Sequence, residues 1–258
     1  MYGAIYGDLV GSIYEYSQIK GIKSISPKKL ITPESFYSDD SILTIAIADA
    51  ILNNRDYDYY LRKYIQEYKE YKPDFKPYFK TSFSPNLIRW SESNDIGNSH
   101  GNGAMMRISP VGFFFDEEKE VIENARLATI PSHNSKESID SATTIALIIF
   151  YLRKGYSRKE IIKKLNLNIK YNPFLKFNTT CEETIGNCLY AFFTSDSFED
   201  ALRKTLLMGG DTDTNCAIVG SMAEACYGID NSLKEQVNEK IPKDFVKILN
   251  RKRSDPNE

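Results

Sequence analysis

Two short acidic runs carry the residue types best suited to chemistry. Ser38-Asp39-Asp40-Ser41 stands directly before the apolar stretch Ile42 to Leu52. Gly209-Gly210-Asp211-Thr212-Asp213-Thr214 stands before a stretch rich in small residues, among them Ala217, Gly220, Ser221, Ala223 and Ala225. Each run puts two aspartates and hydroxyl groups at a predicted helix start. Capping the unpaired N–H groups there needs only one of them, and the helix dipole favours acids at that end. Read alone, Ser38-Asp39-Asp40 serves equally as a cap and as a set of hard oxygen ligands. The second run breaks the tie, because a pair of acidic helix starts is what a dinuclear hard-metal centre requires when its ions sit ~3.5 to 4 Å apart. Calcium-loop spacing is not met, since no DxDxDG with a distal glutamate occurs.

Three further segments hold polar residues in suggestive patterns. Gly3, Gly7 and Gly11 recur at a spacing of four and predict a helix stripe that another helix or a ligand approaches closely. Asp8 and Glu15 share a face of that helix, although two acids on a helix, taken alone, read as solvated surface. The loop Asn98-Ser99-His100-Gly101-Asn102-Gly103 could cradle a phosphate with its backbone amides, but a bare Gly-Asn-Gly reads first as an ordinary turn. His133, between Ser132 and Asn134, is either a cap-region residue or a ligand contact.

The elements that must position these residues are helical. Apolar residues recur at three and four spacings through Ile42 to Leu52, Ser138 to Leu152, Thr184 to Phe193 and Thr214 to Tyr227, so the fold class is all-α. Phe113 to Phe115 is the best strand candidate and reads as a loop feeding a helix from Glu117 to Thr129. Tyr57 to Tyr71 predicts an exposed amphipathic helix, Lys72 to Pro85 a loop, and Arg251 to Glu258 a frayed tail.

With 258 residues, 41% of them hydrophobic, the chain is long enough for a substantial core and is read as one domain over 1–258. A formal charge of −2 provides no global field for nucleic acid or anionic membrane. No stretch stays apolar for the ~18 residues of a membrane span, and Met1 to Val10 lacks the basic start of a secretory signal, so a cytoplasmic protein is expected. Cys181, Cys188, Cys216 and Cys226 form no CxxC pair and read as buried thiols. With only two histidines, His100 and His133, any metal must be held by oxygen and be hard.

In this order, the five segments resemble the signature set of the ADP-ribosylglycohydrolases. The set consists of GDxxGSxYE from Gly7 to Glu15, [ST]DD[ST] from Ser38 to Ser41, GNGAxMR from Gly101 to Arg107, the helix start Ser132-His133, and GGDTDT from Gly209 to Thr214. The resemblance spans nearly the whole chain, and GGDTDT before a small-residue helix is its most specific part. Residues 53–95 carry none of it and are the candidate for setting the substrate.

The resemblance implies a compact, orthogonal multi-helix bundle with a dinuclear metal cleft. Two magnesium ions, with manganese as a possible substitute, would be held by Ser38, Asp39, Asp40, Asp211, Asp213 and Thr214. Serine at position 38, where many members have threonine, keeps the hydroxyl ligand. The resemblance places Glu15 in a catalytic role near the metals, with Asp39, Asp40, Asp211 and Asp213 helping to hold the attacking water. Ser99, His100, Gly101 and Asn102 would bind a diphosphate, with His133 contacting it and the ribose; His100 stands where tyrosine can occur. The implied activity is release of ADP-ribose from a mono-ADP-ribosylated protein or related conjugate, by a protein expected to be a monomer. Nucleic acid enters only as a modified substrate. Arginine, serine, nucleobase and small-molecule linkages all fit, with Glu15 and the preceding GSxY favouring O-linked ones. The alternative is an ADP-ribose-binding or immunity-type protein with little turnover.

Overall fold

The computed structural model describes residues 1–21, 25–74, 81–173 and 177–252. Among them the chain forms α1 (Tyr2–Ile19), α2 (Asp39–Leu52), α3 (Tyr57–Tyr68), α4 (Pro85–Glu92), α5 (Gly103–Met106), α6 (Ser109–Phe114) and α7 (Glu118–Thr129). It continues with α8 (Lys136–Arg153), α9 (Arg158–Lys164), α10 (Cys181–Phe193), α11 (Phe198–Met208), α12 (Thr212–Tyr227), α13 (Asn231–Lys240) and α14 (Lys243–Asn250). The only strand-like pairings among the described residues are two isolated bridges, Asn98 with His133 and Gly101 with Thr180. The all-α expectation holds. No helix among the described residues is long and apolar enough to cross a membrane.

The glycine stripe explains the centre of the fold. α1 and α12 run antiparallel in backbone contact: a Cβ added at Gly3, Gly7 or Gly11 would lie 2.2, 2.0 or 2.1 Å from the carbonyl oxygens of Gly220, Cys216 and Thr212. Such an approach removes both backbones from water and fixes the axial register, because each glycine meets one carbonyl in turn. The Thr212 hydroxyl closes the register by donating to the Gly11 carbonyl at 2.8 Å. Beside this pair, α2 is buried on nearly every side, including Ile42, Leu43, Ile45, Ala46, Ile47 and Ala48. α8 adds Ile145, Ile148 and Ile149 to the same core.

Several local expectations differ from the structure. Phe113 and Phe114 are the last turn of α6 rather than a loop, because Pro110 pre-sets the first turn and Gly112 packs against the α8 backbone at Ala146. α3 ends at Tyr68, three residues early, and buries a stripe of Tyr57, Leu61, Tyr64 and Ile65. Pro85 starts α4, with Ser84 accepting from the Leu87 N–H as its cap. Residues 75–80 of the expected loop and 253–258 of the expected tail lie outside the described residues.

Candidate active site

The α1–α12 pair and the start of α2 bring the acidic residues together. Asp8 and Glu15 on α1 both face Asp213 on α12, as a common helix face required. Candidate ligand oxygens of Asp8, Asp40 and Asp213 lie within 4.8 Å of one another, and so do those of Glu15, Asp211 and Asp213. Asp213 belongs to both trios. The φ values of Gly209 and Gly210, 70° and 84°, turn the chain into this run, and the Gln18 side chain accepts from the Gly210 N–H.

The hydrogen bonds separate capping from other uses of these acids. Ser38 caps α2 by accepting from the Asp40 N–H, which leaves the carboxylates of Asp39 and Asp40 without that task. Asp211 stands at the N-cap of α12 but makes no side-chain cap. Instead its Oδ2 accepts from Asn102 Nδ2 at 2.7 Å, while Asn178 Oδ1 takes the Asp211 N–H at 2.9 Å. Asn178 is tied in turn to Asn215 and Thr184. Asp213 Oδ1 accepts from the Thr214 N–H at 3.0 Å.

Asp8 is completely buried, contrary to the reading of this acid as solvated surface. Its Oδ2 accepts from the N–H groups of Ser38 and Ser41 at 2.8 and 3.1 Å and from the Ser41 hydroxyl, and its Oδ1 lies 2.8 Å from the Ser38 hydroxyl. These donors largely fill the carboxylate. Although Asp8 completes one trio by distance, its bonding makes it the buttress that holds the start of α2, with Asp40 left to offer an oxygen. Asp40 Oδ1 is buried and has no hydrogen-bond partner among the described residues.

Crowding sets the electrostatics. Burial, reinforced by Asp213, pushes the Asp8 carboxyl up to about 7 against the pull of its serine donors. Burial followed by the charges of Asp213 and Asp8 raises Asp39 and Asp40 well above the usual carboxylate range. Burial, Asp213 and Glu15 raise Asp211, and burial raises Asp213. The Ser38 hydroxyl, with one hydrogen, sits within bonding distance of both Asp8 Oδ1 and Asp40 Oδ2 and satisfies only one of them. An orphaned carboxylate oxygen, a short-handed hydroxyl and an all-oxygen donor set fit hard divalent cations. The acidic cluster can hold metal ions.

A cleft of about 540 Å³ opens onto these acids, and Glu15, Asp39, Asp40, Asp211, Asp213 and Thr214 line it. Ser99, Gly101, Asn102 and His133 form another part of the lining. His100 is not among the lining residues: its side chain is 55% exposed and its Nδ1 lies 3.3 Å from Glu137. Nor does Ser38 line the cleft, because its hydroxyl is turned between Asp8 and Asp40. Asn102 is mostly turned inward on Asp211. The N–H groups of Ser99, Gly101 and Asn102 are already bonded to Ser132 O, Ser99 Oγ and Thr179 O, so an amide cradle there is largely spent internally.

His133 is buried, and burial first, then the nearby Arg107 charge, holds its pKa well below the usual value, so the ring is neutral. Arg107 Nη2 donates to Ser132 Oγ at 2.7 Å, and that hydroxyl stands 2.7 Å from His133 Nδ1. With the Ser132 hydroxyl donating its one hydrogen to Nδ1, the ring proton lies on Nε2. Nε2 faces the glycine loop, 3.5 Å from where a Cβ on Gly101 or Gly103 would sit.

The profile of the ADP-ribosylglycohydrolase family matches residues 1–255. The chain belongs to the ADP-ribosylglycohydrolase family. It is 29% identical over 143 residues to the ADP-ribosyl-[dinitrogen reductase] glycohydrolase of Rhodospirillum rubrum, a match covering 51% of this chain and 47% of that one. Similarity to ADP-ribosylhydrolase ARH3 of Homo sapiens, at 24% identity, covers 88% of this chain and 84% of the relative. The match thus spans about half the length of the bacterial relative and most of the human one. A solved structure titled ADP-ribosylglycohydrolase-related protein complex shares the fold, with a TM-score of 0.60 over 96% of this chain and 92% of that chain at 18% identity.

Proposed function

We propose that this ADP-ribosylglycohydrolase is a magnesium-dependent hydrolase that releases ADP-ribose from a mono-ADP-ribosylated protein side chain or a related conjugate. The observation that carries the reading is the group of Glu15, Asp40, Asp211 and Asp213 lining the cleft, with Asp213 shared by both carboxylate trios. Relatives include an ADP-ribosylarginine hydrolase of Serratia proteamaculans, 23% identical over 58% of this chain, and the human ADP-ribosylhydrolase.

Two magnesium ions, when bound, would supply Lewis acidity toward the ribose hydroxyls and lower the pKa of a nearby water. Asp39, Asp40, Asp211, Asp213 and Thr214 are the residues that would hold them, and Ser38 supports Asp40 from behind. Asn102 and Asn178 fix the Asp211 carboxylate and backbone, so that ligand is oriented before anything binds. Glu15 sits against Asp211 and Asp213, where it can orient water on the anomeric carbon or pass a proton to the departing group. The glycosidic bond breaks, water oxygen replaces the leaving group on the anomeric carbon, and the leaving group departs protonated. His133 Nε2–H and the Ser99 hydroxyl are donors suited to a diphosphate, and the neutral ring keeps its proton throughout. Gly101 and Gly103 leave open the space above that imidazole.

The test is a panel of ADP-ribosylated arginine, serine and nucleic-acid substrates, incubated with magnesium and then with chelator, with free ADP-ribose as the readout. Magnesium-dependent release from one member is expected. Binding of ADP-ribose without release from any member would replace the hydrolase reading with that of a binding protein.

A further inference from the structure

One wall of the cleft is made of residues outside every motif of the family signature. Ser82 and Ser84, followed by Asn86, Leu87 and Trp90 of α4, line it without contributing a carboxylate. Trp90 is the single tryptophan of the chain and is half-buried. Its surroundings immobilise it. The Arg62 guanidinium carbon lies 4.1 Å from the ring centroid, over one face. The indole N–H donates to the Asp95 carbonyl at 3.0 Å. Arg62 also binds the backbone from the ring onward: Nη1 donates to the carbonyls of Trp90, at 2.6 Å, and Ser93, and Nη2 to that of Asp95, at 2.9 Å. Asp58 holds Arg62 in turn, accepting from Nε at 2.9 and 3.0 Å.

Those bonds satisfy carbonyls at the C-terminal end of α4, and the same arginine leaves the ring beside them little freedom. What the arrangement achieves is a flat apolar surface held at fixed orientation, which lowers the entropy lost when a second ring packs on it. Trp90 lines the cleft and Arg62 does not, so the residue that Arg62 holds in place is itself part of the cleft wall.

We propose that Trp90, pinned by Arg62, is a stacking platform for a planar group of the substrate and a specificity determinant of this cleft. This rests on the hydrolase reading above. Planar chemistry has two sources in such a substrate, the adenine of the ADP-ribosyl group and a planar leaving group such as a guanidinium or nucleobase. Stacking on an indole suits either. Arg62 acts through Trp90 and is a positioning residue.

The single tryptophan makes the test direct. Magnesium-loaded protein is titrated with ADP-ribose, with ribose 5-phosphate and with an ADP-ribosylated arginine substrate, while tryptophan emission is followed under excitation that tyrosine does not absorb. Calorimetry of ADP-ribose binding runs in parallel. Quenching by ADP-ribose but not ribose 5-phosphate assigns the platform to adenine, and Trp90→Ala then weakens ADP-ribose binding by roughly 5- to 150-fold. Quenching by the arginine conjugate alone assigns it to the leaving group, and Trp90→Ala then raises KM for the conjugate while ADP-ribose binding stays unchanged. In either case Trp90→Phe restores most of the loss and kcat moves less than KM. Calorimetric binding of ADP-ribose with silent fluorescence for all three ligands, and wild-type constants in Trp90→Ala, overturns the platform and leaves the hydrolase reading standing. No calorimetric binding of ADP-ribose overturns both.

Discussion

Gly7→Ala should damage this protein although alanine is the better helix former. A Cβ at position 7 would stand 2.0 Å from the Cys216 carbonyl oxygen, 2.4 Å from its carbon and 2.8 Å from the Ala217 nitrogen. Ordinary contact begins near 3.4 Å, so α1 and α12 must part by about 1.4 Å at that level. Overpacking costs ~1–3 kcal/mol, and the obstruction here is backbone that cannot rotate away, which places this substitution near the upper end. About 1 kcal/mol returns through helix propensity. The net loss is about 2 kcal/mol, a fall in Tm of roughly 4–8 °C for a chain of this length. Parting the helices also draws Asp213 away from α1, so magnesium affinity should fall with stability. Gly186→Ala on α10 is the control, because the nearest atom to its Cβ is the Lys170 carbonyl oxygen at 3.6 Å. That variant should gain up to about 1 kcal/mol. Urea and thermal unfolding of both variants decide the matter: a Gly7→Ala protein as stable as wild type, or two shifts of the same sign, would refute the backbone-contact account.

Three further outcomes are expected. Asp8→Asn presents an amide N–H₂ where serine donors now point, so it should cost about 1–3 kcal/mol in urea unfolding and weaken magnesium binding; unchanged stability and affinity would remove Asp8 as the buttress of α2. Metal-free protein should lose stability as pH rises from about 4 toward about 7, because carboxyls whose folded pKa is raised, such as Asp8 at about 7, hold protons that the unfolded chain has released. Saturating magnesium should raise Tm more at pH 8 than at pH 5, and a flat or inverted dependence of the apo Tm contradicts the crowding argument. Because His133 is held neutral, His133→Ala should raise KM roughly 10-fold or more by removing a diphosphate donor, while the pH–rate profiles of variant and wild type keep the same shape between pH 6 and 8; loss of a titration step in the variant would show that the ring changes charge during turnover.

Local runs were legible in the sequence and long-range partners were not. Asp39-Asp40 and Asp211-Thr212-Asp213 announce themselves because the acids and the helix starts are adjacent, and the i, i+7 relation on α1 puts Asp8 and Glu15 on one face, where each comes near Asp213. Periodicity does not reveal what faces a helix, so Asp8 reads as surface until Ser38 and Ser41, some thirty residues away, are seen to surround it. The signal available was its apolar neighbourhood, Ile5, Leu9 and Val10, flanked by two stripe glycines. Those glycines predicted close approach but not its partner, since Gly11 meets Thr212 across 201 positions. Backbone amides of Ser99 and Asn102 looked available because their acceptors, Ser132 and Thr179, are contributed by distant loops, and that of Gly101 is taken by the Ser99 hydroxyl oxygen within the loop itself. His100 sits in the right loop with its ring turned outward to Glu137. Asn178 and Trp90 carried no recognisable spacing, and Arg107 closes the GNGAxMR run without announcing its bond to Ser132; only the folded chain brings them to the cleft wall or to the residues behind it.

Calorimetric titration of metal-free protein with magnesium, for wild type and Asp213→Asn, tests the shared-carboxylate centre most directly. Two sites in the wild type, both weakened together in Asp213→Asn along with loss of ADP-ribose release, are the predicted result. A wild type that binds one ion or none, or an Asp213→Asn protein that keeps two-site binding and full turnover, would contradict it.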